Sequence, residues 1–385
     1  MPATAQNLPA QRTARLNLFG LAIGIHTGMI PADLSVPDHK FGVEIEFENL
    51  NTTSADRTIQ DLYANHRLQP WNRHKWKIVY DGSVGSNGGE AISPPMSGTR
   101  GFVEIGIICE SLKNAGATVA VNCGIHCHIN AVGTNVSTIK NLFKLCYKHE
   151  PSIFAMVSDS RRPRYMAHST DREQRAGRQY HYCKQIQVDI DKISEAQSLY
   201  QIENAWYVLQ NGTNYRSGGY NETRYHGFNF HAFAKHGTFE FRYFQGSLNP
   251  NKIIAYVIFC LSMVELATSA RHIRNVIDNN DRNVLQLSGR QQFEVMLRDL
   301  HITGPGLLMK TARKALVDRF KVFNRHLFTE TEMTRPVDIS VEVPADTVNV
   351  LQMESYLQPT QSPLAEIFIS DGPASAGYDN GGAQL

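Results

Sequence analysis

Cysteine is scarce in this chain: six residues in 385, at Cys109, Cys123, Cys127, Cys146, Cys183 and Cys260. Spread so thinly, they do not form the disulfide framework of a small secreted domain, and we read them as reduced thiols in a cytoplasmic protein. A surplus of one charge is also missing. The 38 Lys and Arg nearly balance the 36 Asp and Glu, so a formal net charge of +2 calls for neither nucleic acid nor a membrane surface as partner. The apolar stretch "LNLFGLAIGI", Leu16 to Ile25, follows Arg12 and Arg15 but is too short to span a bilayer, and no convincing small-residue cleavage site follows it. Internal repeats are absent. What remains is globular: 42% hydrophobic and 19% charged, long enough for one large elaborated core or two domains.

Along the chain, residues 1–38 are polar, then apolar, then broken by Pro31 and Pro37, and read as an N-terminal arm. "KFGVEIEFENL", "WKIVYDGSV" and the start of "GGEAISPP" have strand character; the last stops at Pro94 and Pro95. "RGFVEIGIICESLKNAGA" is helical, with Phe102, Ile105, Ile108, Cys109 and Leu112 at helical spacing and Gly116 as a stop. "TVAVNCGIHCHIN" is a strand, and "STIKNLFKLCYKHEPSIFAMV" a helix interrupted at Pro151. The region 140–220 reads as a helical and basic insertion, rich in Arg and Tyr from 160 to 200. "TRYHGFNFHAF" and "GTFEFRYFQGSL" read as two strands of a hairpin joined through "AKHG", and "NKIIAYVIFCLSMVELATSARHI" as a long helix after Pro250. Residues 273–357 form a helical C-terminal extension. The tail, 358–385, has a composition that favours disorder.

Alternation places the charged residues. Successive side chains of a strand point to opposite faces. In "FGVEIEFE", Val43, Ile45 and Phe47 share one face, and Glu44, Glu46 and Glu48 the other. In "CGIHCHI", Ile125, Cys127 and Ile129 oppose His126 and His128; in "TFEFRYF", Phe239, Phe241 and Tyr243 oppose Glu240 and Arg242. One such strand is an ordinary half-wet strand of an antiparallel sheet. Three of them, carrying Glu-x-Glu, His-x-His and Glu-x-Arg, would gather carboxylates, imidazoles and a guanidinium on one side. Carboxylates that crowd together resist ionisation unless cations sit between them, and hard oxygen ligands favour Mg²⁺ or Mn²⁺.

The set "GVEIEFE", "DGSV…GGEAISPP", "CGIHCHI", "RYHGFNF" and "TFEFRYFQGSLNP", in this order and spacing, resembles the amidoligase family of carboxylate–amine ligases, related to glutamine synthetase and glutamate–cysteine ligase. The likeness runs from about Phe41 to Ala267 and suggests a catalytic domain over 39–272. It implies an α+β fold in which a curved antiparallel sheet binds ATP and divalent cations on its concave face, with helices behind, as in the glutamine synthetase core. It implies an ATP-dependent ligase that forms an amide through an acyl phosphate, acting on small-molecule or peptide carboxylates and amines. By position, Glu44, Glu46, Glu90, His126 and Glu240 correspond to metal ligands. His128 and Arg242 would meet phosphate, and Arg242, Glu90 and Glu240 carry the catalytic assignments. Cys127 stands where the family often has an aliphatic residue, on the apolar face.

Other residues keep two readings. Asp81, Gly82 and Ser83 sit where the family has a substrate-side loop, but "DGS" is also a plain turn. Arg161, Arg162 and Arg164 could meet an anion or form a solvated basic stretch, and Arg224 is a phosphate candidate that could equally be a surface residue. Phe228 and Phe230 suit a core more than an adenine platform. Two alternatives of another class stay open: a zinc-dependent metallohydrolase using His126 and His128, and a non-catalytic binding or structural protein that keeps the fold.

Overall fold

The polar-then-apolar start of the chain becomes a strand, β1 (Gln11–Arg15), and a helix, α1 (Leu18–His26). Asn17 caps α1 by accepting a hydrogen bond from the Gly20 N–H. With Leu18, Phe19, Leu21, Ala22 and Ile23 all buried, α1 is a core helix. The computed structural model describes residues 11–32, 36–162, 183–208, 221–270, 289–334 and 340–344. Arg164, most of the basic stretch after Met156, the first part of the C-terminal extension and the tail 358–385 lie outside them.

The elements then run β2 (Phe41–Glu48), α2 (Thr52–Ala64), β3 (Lys77–Val79), β4 (Gly88–Ile92), α3 (Gly98–Asn114), β5 (Gly124–Asn130) and α4 (Val136–Ala155). After these come α5 (Ile190–Glu195), α6 (Leu199–Val208), β6 (Phe228–Asn229), α7 (His231–His236), β7 (Thr238–Gln245) and α8 (Pro250–Ser269). The last described elements are α9 (Arg290–Asp299), α10 (Leu307–Phe323), α11 (Glu330–Thr334) and β8 (Ser340–Pro344), which pairs with β1. The fold is α+β. Its main sheet is open, six-stranded and antiparallel throughout, in the order β3-β4-β2-β5-β7-β6.

The apolar face of that sheet carries Val43, Ile45, Phe47, Ile125, Cys127, Ile129, Phe239 and Phe241, all buried. Helix α8 lies against β5 and β2, and α3, α4, α1 and α10 pack on α8 in turn. By length and composition α8 could cross a membrane, yet most of it is buried inside the protein, so its apolar surface is satisfied by packing. Phe228 and Phe230 are core residues, and all six cysteines are free and buried.

Two local expectations are corrected. Helix α4 is not interrupted at Pro151 but runs on to Ala155. Only the last turn follows the proline, and it is anchored: Ile153, Phe154 and Ala155 are fully buried, and Arg162 donates to the carbonyls of Phe154 at 2.9 Å and Ala155 at 3.1 Å. Arg162, buried and committed to this cap, is structural. "TRYHGFNFHAF" is not one strand. It divides into a 3₁₀ turn (Glu222–Tyr225), the two-residue β6 and helix α7, which ends at Gly237 in the left-handed conformation (φ 65°). The phenyl rings of Phe230 and Phe233 stack at 5.2 Å across three residues, a helical spacing that overrides the alternation.

Candidate functional site

Register brings the polar residues together. β2 places Glu44 opposite His126 on β5 and Glu46 opposite Glu90 on β4, while His128 lies opposite Glu240 on β7. A bulge between Ile125 and Cys127 sets an extra β7 residue against β5. On β7, Tyr243 and Phe244 are then both fully buried, Tyr243 donating to Glu150 and Phe244 stacking on Tyr256 at 4.1 Å, while Arg242 stays beside Glu240. The polar face is not a wet face. Glu46, Glu90, His126, Glu240 and Arg242 are all buried, and Glu44 and His128 are half-buried. Burying that many charges demands specific partners.

His126 is the hub. Its Nδ1 lies 2.8 Å from Glu44 and 3.8 Å from both Glu90 and Glu240; its Nε2 lies 3.5 Å from Glu46. His128 Nε2 is 3.2 Å from Glu44 and 4.0 Å from Glu240, and its Nδ1 is 3.0 Å from the Thr238 hydroxyl. Neither Nε2 makes a well-angled hydrogen bond, although both are buried. Arg242 Nη1 donates to Glu240 at 2.5 Å and also lies 3.4 Å from His126 Nδ1. Asn229 donates to the other oxygen of Glu240 at 2.6 Å, and the Gly124 N–H donates to Glu46 at 2.5 Å.

Three groups of ligand atoms come close enough to share a cation: Glu44, His128 and Glu240; Glu44, Glu90 and His126; Glu46, Asp81 and Glu90. Within each group the atoms lie within 4.8 Å of one another, a spacing that a divalent ion with ligands at roughly 2.0–2.6 Å can bridge. Glu44 and Glu90 each belong to two groups, so the three form a chain across β7, β5, β2 and β4 to the turn after β3. The donors are carboxylate oxygens with at most one imidazole in each group, a set that fits Mg²⁺ or Mn²⁺. No group contains a cysteine: Cys127 lies on the other face, hydrogen-bonded to Cys260 of α8.

Electrostatics point the same way. Burial and the neighbouring Glu44, Glu46 and Asp81 push the Glu90 carboxyl up to about 10, so without a cation this group holds a proton at neutral pH. Burial also opposes ionisation of Glu44, but His128 and His126 outweigh it and hold this carboxylate well below its usual range. At Glu240, burial is likewise overcome by Arg242 and then His128. The Arg242 guanidinium is held above its ordinary value, despite burial, chiefly by Glu240 and Glu44.

Two cavities open on this face. One is lined by Glu44, His128, Arg224, Lys235, His236 and Arg242, among others. The second, about 190 Å³, is lined by Glu46, Asp81, Ser83, Asn122, Arg161, Arg224, Tyr225 and Arg242. The structure therefore brings together Glu44, Glu46, Glu90, His126, His128, Glu240 and Arg242, and sets Arg224 in the walls of both cavities. It sets Asp81, for which the sequence leaves both a substrate-side loop and a plain turn open, against Glu46 and Glu90, and adds Asn229, which no sequence pattern marks. Of the two readings of Arg161, the solvated one falls away, because its side chain is buried in the wall of the second cavity.

Clustered carboxylates able to hold cations, with an adjoining guanidinium, thus lie on one face of an antiparallel sheet backed by helices on the other. The family model described as "Putative amidoligase enzyme" matches residues 37–264, more than half of the chain, and the chain belongs to the amidoligase family. No curated protein matches it. Family membership supports a ligase.

Proposed function

We propose that the protein is an ATP-dependent carboxylate–amine ligase that forms an amide through an acyl phosphate on a glutamine synthetase-like core. The observation that carries this is the chain of three overlapping cation groups, which share Glu44 and Glu90 and end against Arg242. Divalent cations held there supply neutralisation of the triphosphate and of the leaving group. An oxygen of the substrate carboxylate bonds to the γ-phosphorus of ATP as the bridging P–O bond breaks, and ADP leaves with that electron pair. The amine lone pair then forms the C–N bond, the C–O bond to phosphate breaks, inorganic phosphate departs and the nitrogen releases a proton.

The side chains orient and balance charge. Glu240, fixed by Asn229 on one oxygen, holds the Arg242 fork in place for the transferring phosphoryl group. His128, steadied by Thr238, faces the cavity with Arg224 and Lys235, a basic wall suited to nucleotide phosphates. The zinc-hydrolase alternative has weaker support, because His126 and His128 fall in different groups of ligand atoms and a guanidinium lies beside His126. The test is ADP release by the purified protein with Mg²⁺ or Mn²⁺ across libraries of acids and amines. Turnover that needs both an acid and an amine is expected. Zinc-dependent amide hydrolysis with no ATP use would overturn the reading.

A further inference from the structure

Glu104 on α3 lies outside the cation groups and is fully buried, yet it gathers donors from two elements. Its Oε1 accepts from the Trp71 indole at 2.9 Å and from Arg100 Nε at 3.3 Å; its Oε2 accepts from the Trp76 indole at 3.2 Å. Arg100 adds a second hold on the same loop. Its guanidinium sits 4.2 Å from the centre of the Trp71 ring, and its Nη2 donates to the Gln69 carbonyl at 3.0 Å. The Trp76 backbone N–H donates to the Tyr63 hydroxyl of α2 at 2.9 Å. Burial pushes the Glu104 carboxyl up to about 7, against the pull of Trp71, Arg100 and Trp76. A carboxylate is therefore a costly way to fill this part of the core, and what it supplies is a fixed place for two indoles.

Between the two tryptophans the chain makes a tight turn. Trp71 and His74 exchange backbone hydrogen bonds at 2.9 and 2.8 Å, with Asn72 (φ 45°) and Arg73 (φ 73°) both left-handed. Asparagine tolerates that region; an arginine stays there only where its surroundings fix it, and Glu104 holds the indoles on either side. Trp76 leads directly into β3, and β3 into Tyr80 and Asp81. β3 is an edge of the main sheet, three residues long, none of them buried, and among the described residues it pairs with β4 alone. A strand with so little packing of its own takes its position from what precedes it. Val79 lies opposite Glu90, and two residues further on Asp81 joins Glu46 and Glu90 in the third cation group. Glu104 and Asp81 thus act on the two ends of one short strand. The Asn122 amide, donating to the Ser83 carbonyl at 2.9 Å, steadies the turn beyond Asp81.

We propose that Glu104 is a positioning residue of the cation site: by holding Trp71 and Trp76 together it fixes the start of β3 and so sets Asp81 against Glu46 and Glu90. The inference rests on the cation groups and not on the ligase chemistry. Glu104 itself holds no cation and acts through the strand. The other two groups, Glu44 with His128 and Glu240 and Glu44 with Glu90 and His126, take no ligand from β3 or its turn, so they do not depend on this hold. Glu104→Gln keeps the shape but offers one acceptor oxygen to two indoles and turns an amide N–H₂ toward one of them, so one indole is released. The relation is reciprocal: a cation that draws Asp81 to Glu46 and Glu90 also tightens the hold on the indoles.

The experiment is a calorimetric Mn²⁺ titration of the full chain for wild type, Glu104→Gln, Asp81→Asn and the double variant. Glu104→Gln should weaken one class of Mn²⁺ site about 10-fold, the scale for disturbing a group behind a metal ligand, and leave the others within about twofold. Asp81→Asn should weaken the same class. Adding Glu104→Gln to it should change Mn²⁺ affinity no further, because the route through Asp81 is already cut. Additive losses in the double variant would make Glu104 merely structural and overturn the proposal, as would wild-type Mn²⁺ affinity in Glu104→Gln. Trp71→Phe keeps a ring under Arg100 and loses the indole N–H, so it serves if Glu104→Gln does not fold. It should lower the same affinity about threefold, again with no further effect beside Asp81→Asn, and additivity there would count equally against the proposal. In the reverse direction, Mg²⁺ should slow exchange of the Trp71 and Trp76 indole protons about 5-fold in wild type and leave it unchanged in Asp81→Asn; exchange in wild type that ignores Mg²⁺ would overturn the proposal. Absence of Mn²⁺ binding to wild type would sink the cation groups themselves, and this proposal with them.

Discussion

Glu90→Gln is the substitution whose effect the geometry specifies most closely. Glu90 is buried between Glu46, its cross-strand neighbour, and the Glu44 and Asp81 groups. Its carboxyl is raised from 4.5 to about 10, by burial first and then by those three carboxylates. A group raised in the folded state contributes stability that is fully present below its unfolded value and lost as pH climbs. At pH 7 the folded value still lies above the solution pH, so the cost is set by the 2.5 units from 4.5 to 7, about 3 kcal/mol. Glutamine has nearly the shape of the protonated acid and carries no such penalty. The metal-free variant should therefore be more stable than wild type by up to about 3 kcal/mol at pH 7, and equal to it near pH 4. Mg²⁺ or Mn²⁺ should reverse the order, because wild type gains the cation and the variant loses a ligand shared by two groups. Cation binding to wild type should also expel close to one proton, which calorimetry in buffers of different ionisation enthalpy reads directly. Urea midpoints from pH 4 to 8, with chelator and with cation, test the sequence of effects. A Glu90→Gln protein less stable than wild type in chelator would refute the crowded-acid argument and make Glu90 a structural partner.

Three other outcomes follow from separate parts of the structure. Arg242→Lys keeps the charge but not the planar fork, and should lower kcat for ADP release on the order of 10²-fold or more while changing nucleotide affinity little; full activity would remove the phosphoryl role. Burial against the Trp206 ring pushes His226 down to about 4, so its neutral form stabilises the fold above pH 6.5 and that contribution fades as pH falls toward 4, by about 3 kcal/mol in all; His226→Gln should flatten this part of the pH–urea profile. A Cβ at Gly106 on α3 would lie 2.0 Å from the Phe19 ring, so Gly106→Ala should cost about 1–3 kcal/mol and Phe19→Leu should recover part of it; an unchanged urea midpoint would show that α1 does not dock there.

The two-residue period of β2, β5 and β7 told which side chains share a face, because alternation is a property of a single strand. Partner register is not. Glu46 meets Glu90 only because β2 and β4 pair with that offset, across an intervening helix. Burial of the polar face was illegible for the same reason: strand by strand, Glu44, His126 and Glu240 look solvated, and only their mutual crowding excludes water. Asp81 kept two readings because the turn is real, its own Oδ1 accepting from the Ser83 N–H at 2.7 Å, and its place beside Glu46 and Glu90 depends on strand pairing. Arg161 sat in a basic run whose composition suggests solvent, and the space that receives it comes from a glycine on another element, 37 positions earlier. Period-two apolar residues also misled from Phe230 onward, where the contact from Phe230 to Phe233 turned the chain into helix α7 just after the short β6.

The docking of α1 has a consequence for the order in which the chain becomes native on the ribosome. The Phe19 N–H donates to the Asn251 side chain at 2.9 Å, a contact between residues 232 apart. At a synthesis rate of about 5–20 residues per second, roughly 10–50 seconds pass between emergence of the two partners. Helix α3, with its Gly106 notch for Phe19, emerges earlier, so an α1–α3 pair can form first and still leave the α8-facing side of α1 uncovered. During that interval Leu18, Leu21 and Ile23 present one of the most apolar surfaces in the nascent chain. Helix α1 therefore gives a ribosome-associated chaperone a long interval in which to act, and slowing translation before Asn251 should raise aggregation of the newly made protein more than slowing it afterwards.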